Sequence, residues 1–314
     1  MQPLITGGAG FIGSHLAEWH YHGGMPVTVL DNLSSGKRTN LLQNATLVEG
    51  DVADAALVDR LVARASCVYH LAAIASVQVC EQEPERAHRT NVIGTDTIFE
   101  AAARHGKTVV YASSAAVYGD NANLPLSEQE TPAPLGPYGQ HKLANEHSAA
   151  RFAAQGLKST GLRFFNVYGP RQDPASPYSG VISIFADRIG RGAPITFHGD
   201  GEQTRDFVYV GDVANALVSA QELTRSTTLN GAYVHGGADV LNMCTGRATS
   251  LKQLAATLSA VCGTPLQASH GPARVGDIRH SLGDPARVMR ALGGRGWTQL
   301  ADGLRHLHEA PHGA

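Results

Sequence analysis

Apolar and polar positions follow two rhythms in the first half of the chain. Short apolar runs at residues 3–6, 27–30, 46–48, 67–71, 108–112 and 159–164 read as strands. Between them, residues 11–22, 57–64, 87–105 and 138–155 read as helices, the third with apolar positions near a period of 3.6 and the last with few breakers. Short apolar strands separated by helices argue for a parallel sheet covered on both faces. The predicted class is α/β, a Rossmann-type doubly wound parallel sheet with right-handed crossovers.

After Asn166 the rhythm changes. "NVYGPRQDPASPYSG" (166–180) is rich in Pro, Gly and polar residues and reads as a loop or lid. Beyond it, 182–191, 212–221 and 251–261 read as helices, 195–197 as a strand, and 240–243 as a strand returning to the main sheet. The expected organisation is a dinucleotide-binding domain over 1–165, rejoined by a segment near 207–245. A smaller, discontinuous C-terminal substrate domain takes most of 166–314.

Composition narrows the classes. The 314 residues are 43% hydrophobic, enough for a large core, and the net charge is −2 with no basic run, which argues against a nucleic-acid partner. Cys67, Cys80, Cys244 and Cys262 are scattered without a C-x-x-C, which argues against a zinc site or disulfide framework and fits a reducing cytoplasm. A strand already under way at residue 5 leaves no room for a leader, and no apolar run approaches the ~18 residues of a membrane helix. The chain is therefore expected to be cytoplasmic, with no membrane partner. Fifteen histidines raise the question of a metal, but His20 and His22, like His306 and His308, are two apart and do not share a helix face, so none is expected.

The chemistry begins at "ITGGAGFIGSHLAEW" (5–19). A strand, a glycine turn and a helix N-terminus together make an anion site of unpaired N–H groups and a positive dipole end. Gly7 permits a tight turn, Gly10 lets a pyrophosphate approach, and Gly13 lets the helix pack close to the strand. The spacing is G-x-x-G-x-x-G rather than the standard dinucleotide fingerprint, and a plain tight turn would also explain it. Asp31 adds weight: it ends the second strand about 20 residues on, where a carboxylate takes both ribose hydroxyls of NAD and repels the 2′-phosphate of NADP. A simple cap is the plainer role for Asp31. Asp51, in "EGDV", is placed to reach an adenine amine.

"YASSAAVYGD" (111–120) and "PYGQHK" (137–142) supply an acid–base set. Tyr138 and Lys142 are four apart on one helix face, so the ammonium is expected to lower the tyrosine pKa toward neutrality and make it a general base on a sugar hydroxyl. Ser113 or Ser114, at a strand end, could hydrogen-bond the same oxygen.

With these motifs, and with "DNLSSG", "HLAAIASV", "NVIGT", "SSAAVYG", "RFFNVYGPRQ" and "GDGEQTRDFVYVGDVANAL", the chain resembles the extended short-chain dehydrogenase/reductases from about residue 3 to 297, and within them the UDP-hexose 4-epimerases. The resemblance implies bound NAD and a UDP-sugar substrate, with Ser114, Tyr138 and Lys142 catalytic. It implies cofactor contacts from Phe11, Ile12, Asp31, Asn32, Ser35, Gly36, Asp51, Val52, Leu71, Ala72, Ala73, Thr90, Tyr138, Lys142 and Phe165, beside Gly7, Gly10 and Gly13. Asn166, Val181, Thr196, His198, Arg205, Arg274 and Asp277, with Ser114, would hold the nucleotide sugar, the arginines through forked donors to a diphosphate. Ser281 falls where a bulky tyrosine narrows the pocket in epimerases restricted to plain hexoses, so N-acetylhexosamines are expected to fit as well. Related 4,6-dehydratases carry an Asp-Glu pair at Ala115 and Ala116, and decarboxylases a Glu at Ala116; the alanines disfavour both. A uronate 4-epimerase needs the same acid–base set and stays open. So, outside enzymes, does a non-catalytic NAD-binding sensor, which would have no need of the Ser-Tyr-Lys set. A homodimer through helices 87–105 and 138–155 is expected from the same resemblance.

Overall fold

The computed structural model describes residues 1–172, 180–225, 228–229, 232–233, 237–273, 277–291 and 296–310. In chain order the first half runs β1 (Leu4–Thr6), α1 (Phe11–His22), β2 (Val27–Asp31), β3 (Ala45–Glu49), α2 (Ala55–Arg64), β4 (Val68–His70), α3 (Val77–Gln82), α4 (Pro84–His88), α5 (Gly94–Arg104), β5 (Thr108–Ser114), α6 (Pro137–Ala153) and β6 (Lys158–Phe164). The second half runs β7 (Asn166–Tyr168), α7 (Val181–Gly190), β8 (Ile195–His198), β9 (Thr204–Tyr209), α8 (Val210–Arg225), β10 (Thr228–Leu229), β11 (Ala232–Tyr233), β12 (Ala238–Met243), β13 (Ala248–Ser250), α9 (Leu251–Cys262), β14 (Ala268–Gly271), α10 (Ala286–Ala291) and α11 (Leu300–Glu309).

Seven strands form one parallel sheet in the order β12-β6-β5-β4-β1-β2-β3. Consecutive strand residues feed opposite faces. Leu4, Val68 and Val109 join one core with Val58, Ile98 and Phe152, while Ile5, Tyr69 and Val110 join the other with Leu16, Val213 and Leu217. Because both faces are buried, successive positions in the middle of these strands are apolar, as at Leu4–Ile5, Val68–Tyr69 and Val109–Val110, and the runs look continuous rather than alternating. The strand at 240–243 does return to this sheet, as β12 beside β6 in parallel. A third core, built from Tyr168, Ile182, Phe185, Phe197, Phe207, Leu254 and Leu304, lies under the remaining strands.

Two expectations need correction. The single helix read over 87–105 is α4 and α5 joined by a π-helical turn, Arg89–Ile93. The widened turn carries Asn91 inward, where its side chain accepts from Ile74 N at 2.8 Å and donates to Ile74 O at 3.0 Å. The 166–180 segment is not loop throughout: Asn166–Tyr168 pairs in parallel with β9, and the small sheet runs β13-β9-β7. Residues 173–179 of that segment lie outside the described residues. Among the described residues no helix is long and apolar enough to cross a membrane, and no group of three His, Cys, Asp or Glu side chains could hold a metal.

Candidate functional site

At the C-terminal ends of β1, β2 and β4 the backbone opens into a cleft whose floor is the glycine turn. Gly7 has φ 68°, and its N–H donates to Leu30 O at 2.8 Å. A Cβ at Gly13 would lie 2.3 Å from Gly7 O and 2.7 Å from Gly8 Cα, so the helix seats on the turn only without a side chain there. A Cβ at Gly10 would meet only Gly7 O, at 3.2 Å. Gly10 is the N-cap of α1 and offers no side-chain cap, which leaves the first helical N–H groups facing the cleft.

Gly7, Gly10, Phe11, Ile12, Gly13, Asp31, Asn32, Ser35, Val52, Leu71, Ala72, Ala73, Thr90, Tyr138 and Lys142 line one continuous cleft. Four expected residues do not line it. Gly36 packs behind Asp31, its would-be Cβ 3.0 Å from Asp31 Oδ1. Asp51 caps its own turn, accepting from Ala53 N at 2.8 Å, while its neighbours Gly50 and Val52 form the wall. Phe165 is turned into the core, where its N–H donates to Met243 O at 3.1 Å; Phe164 lines the cleft instead. Ser114 gives way on the wall to Ser113, yet Ser114 is the serine near enough to Tyr138 to pull its pKa down, while its hydroxyl accepts from Ala116 N at 3.1 Å. Ser113 is committed elsewhere, donating to Glu146 Oε1 at 2.5 Å.

Asp31 is buried, and its carboxylate already accepts from Ala9 N and Leu33 N, both at 2.9 Å. It is thus a turn cap and a wall of the cleft at once, and each oxygen keeps a further lone pair.

Tyr138 opens α6 behind Pro137, and Lys142 follows one turn on. Lys142 Nζ lies 5.8 Å from the Tyr138 ring centre and donates to Ala112 O at 2.8 Å. The expectation of a phenol titrating near neutrality is corrected here. Tyr138 is only half-buried by area, but the dense surroundings of its hydroxyl disfavour the phenolate and push the pKa up to about 12, against the smaller downward pull of Ser114. Lys142 is fully enclosed, and burial brings it down to about 8. Desolvation outweighs spacing at both groups.

A polar chain that no motif announces lies behind these groups. Glu146 takes Nε and Nη2 of Arg163 at 2.9 and 2.7 Å; Arg163 Nη1 donates to the Tyr118 hydroxyl at 2.7 Å, which donates to Asn242 Oδ1 at 2.6 Å. The available signal was the i, i+4, i+8 spacing of Tyr138, Lys142 and Glu146.

Arg205, Asp277 and Ser281 are not among the residues that line this cleft; Arg205 Nη2 pairs with Asp277 Oδ1 at 2.5 Å, and Ser281 N donates to Thr204 O at 3.1 Å, so the three gather at the start of β9. Asp206 braces this corner: it accepts from Thr245 N, Thr245 Oγ1 and Gly246 N at 2.6–2.9 Å, and more weakly from Gly283 N. Thr196 and His198 lie apart from that corner on β8, which pairs with β14, and Thr196 Oγ1 meets Ser269 Oγ at 3.1 Å. Asn166 is exposed at the head of β7, and Val181 opens α7. Arg274 lies outside the described residues. One further link joins the halves: Arg171 donates to Glu18 at 2.6 Å, and a His15 ring nitrogen meets Pro170 O at 2.9 Å, tying the start of the 166–180 segment to α1.

Residues 3–236 match the NAD dependent epimerase/dehydratase family. A UDP-glucose 4-epimerase of Mycolicibacterium smegmatis is 35% identical over 313 residues, covering 97% of this chain and 96% of that protein. A UDP-N-acetyl-alpha-D-glucosaminuronate decarboxylase of Bacillus cytotoxicus is 35% identical over 273 residues, covering 84% of this chain and 83% of that protein. Among solved structures, the UDP-glucose 4-epimerase of Thermotoga maritima, with UDP-glucose, superposes with a TM-score of 0.90 at 39% identity and covers 98% of each chain.

Proposed function

This chain belongs to the NAD dependent epimerase/dehydratase family, and from that premise we propose that it inverts C4 of a UDP-hexose, with UDP-glucose and UDP-galactose as the interconverting pair. The observation that carries the reading is that Tyr138 and Lys142, one turn apart on α6, line the same cleft as the glycine turn, with Ser114 beside the phenol.

The residues present fit NAD. A helix N-terminus without a side-chain cap meets the pyrophosphate, Gly10 leaves room for its approach, and Asp31 has lone pairs for the ribose hydroxyls. When bound, NAD supplies reversible hydride transfer at the sugar carbon. Tyr138 as the phenolate takes the proton of the 4-hydroxyl and later returns it, with Ser114 orienting the shared oxygen; because burial disfavours that phenolate, the exchange depends on positive charge set beside it. Lys142 lends positive charge to the phenolate side of that exchange. The resulting 4-keto sugar turns about its diphosphate linkage and re-presents its other face. Arg205 and Asp277, with Ser281 beside them, are the proposed sugar-side contacts, joined by Asn166, Val181, Thr196, His198 and Arg274.

A decarboxylase reading is supported by the Bacillus relative but has no carboxylate at Ala116 to serve it. We further propose a homodimer through α4–α5 and α6, where Ile93 stands exposed, and a cytoplasmic location, which four free thiols favour. Incubation with UDP-glucose should yield UDP-galactose without net NADH. Release of carbon dioxide from a UDP-uronate, with no epimer from UDP-glucose, would replace this reading with the decarboxylase.

A further inference from the structure

Three polar side chains, one helical turn apart on α6, reach three consecutive residues at the end of β5. Tyr138 stands beside Ser114, close enough for the serine to pull its pKa down; Lys142 donates to Ala112 O at 2.8 Å, and Glu146 accepts from Ser113 at 2.5 Å. The third rung differs in being charge-paired in the interior. Arg163 of β6 grips both oxygens of Glu146 and is itself held by Tyr118, which is held by Asn242 of β12. Ser113, Glu146, Arg163, Tyr118 and Asn242 are all at most 9% exposed.

A buried ion pair is no bargain in stability, because desolvation cancels much of its attraction; well-packed apolar residues often do as well. Geometry gives this one a different use. It fastens α6 to two adjacent strands through one carboxylate, so a slip of α6 by one residue, ~1.5 Å along and ~100° around, would break all three rungs.

We propose that the Glu146–Arg163 pair is a positioning element for Tyr138 and Lys142, holding α6 in the register at which Tyr138 meets Ser114 and keeping a carboxylate one turn from the Lys142 ammonium. The inference rests on Tyr138 as the proton-moving group.

Charge near Lys142 gives the pair a readout that mere scaffolding lacks. Tyr138, His141 and Glu146 face Lys142 from its own helix, Cys80 from α3 and His70 from β4. Burial lowers the Lys142 pKa; Cys80 and Glu146 oppose it. Burial lowers both histidines, His70 to about 3; Lys142 adds to the effect at His70, and His88 and Lys142 add to it at His141. Loss of the Glu146 charge therefore lets Lys142 give up its proton at lower pH.

The test titrates Lys142 in whole protein labelled with 13C at the lysine ε-carbons, the resonance being assigned by its absence in Lys142→Met. The wild-type midpoint should lie near 8. In Glu146→Gln, whose amide oxygen can still accept from Ser113, it should fall by about one pH unit, the size of effect expected for a charge one turn away. The alkaline limb of kcat on UDP-glucose should move down with it, with KM little changed. Glu146→Asp keeps the charge but shortens the reach to Ser113; it should leave the Lys142 midpoint in place and lower kcat roughly tenfold or more by misplacing Tyr138. Because an unpartnered Arg163 can unfold the chain, Glu146→Gln/Arg163→Met, which removes both charges, is measured alongside and should show a smaller downward shift, since the opposing Arg163 charge goes with the carboxylate. An unmoved midpoint in the folded Gln variants, or wild-type kcat in Glu146→Asp, overturns the inference. Should wild type epimerise no UDP-sugar, the proposed function fails, and the Lys142 titration still decides the charge half of this one.

Discussion

A methyl group added at position 13 or at position 10 separates the two jobs of the glycine turn. At Gly13 the new carbon would sit 2.3 Å from Gly7 O and 2.7 Å from Gly8 Cα, both backbone atoms that cannot rotate away. To bring the first contact out to 3.0 Å, α1 or the turn must move by roughly 0.7 Å, and overpacking of this kind costs about 1–3 kcal/mol. At about 2–4 °C per kcal/mol, the Tm of Gly13→Ala should fall by roughly 2–12 °C. The same shift pulls the helix N-terminus away from the pyrophosphate, so NAD should be lost too. At Gly10 the new carbon would meet only Gly7 O at 3.2 Å, and its backbone, φ −79° and ψ −175°, suits any residue. Gly10→Ala should therefore hold its Tm within a few degrees and still lose NAD, because the methyl projects where the phosphates approach. Differential scanning fluorimetry gives the Tm, and absorbance of the supernatant after acid precipitation gives the bound nucleotide. Gly13→Ala with unchanged Tm, or Gly10→Ala that retains NAD like wild type, would refute the packing argument.

Tyr138→Phe should keep the fold and NAD but lose ~10²–10⁴-fold in turnover, since only the proton-carrying oxygen is removed; near-wild-type epimerisation would show another group to be the base. Asp31→Ala should weaken NAD and narrow its advantage over NADP, measured by calorimetric titration of both nucleotides; equal retention by wild type and variant would exclude the ribose contact. Ser281→Tyr should abolish reaction on UDP-N-acetylhexosamines and spare UDP-glucose; the gate is excluded if wild type rejects the N-acetyl sugars or the variant loses both reactions alike. His20 is buried with both ring nitrogens unpartnered, and burial lowers its pKa to about 4. A native pKa below the unfolded one means that its contribution is intact above pH 6.5 and is lost as pH falls toward 4, by roughly 3 kcal/mol in total. His20→Leu should therefore show a shallower fall of Tm across that window, and an identical slope would remove His20 from the account.

How much of this was legible before the structure depends on where each signal is written. Both cores draw on consecutive residues of the same strand, such as Leu4 and Ile5 or Val109 and Val110, so the central strands stand out as apolar runs. β9 does not: its sequence TRDFVY mixes charge with aromatics because Arg205 turns to Asp277 and Asp206 to the 245–246 backbone. The partners of β7 and β13 lie some forty residues away in sequence, beyond the reach of any local pattern. The π-helical turn hides inside a helical period because only Asn91 and its hold on Ile74 reveal it. At the site, motif spacing placed most of the cleft wall, but a one-residue register separates Phe164 from Phe165 and the tasks of Ser113 from those of Ser114. Chain spacing also puts Lys142 near Tyr138 without revealing that burial governs both pKa values.

The central claim is that one hydrogen leaves C4 of the sugar and comes back to the opposite face of the same carbon within a single binding event. It is tested most directly by incubating the purified protein with UDP-glucose carrying deuterium at C4, in ordinary water, and isolating the UDP-galactose formed. UDP-galactose should form with the deuterium still at C4, and no label should appear in solvent or in NADH free in solution. UDP-galactose that has exchanged its C4 label for solvent hydrogen, or no UDP-galactose at all, would contradict it.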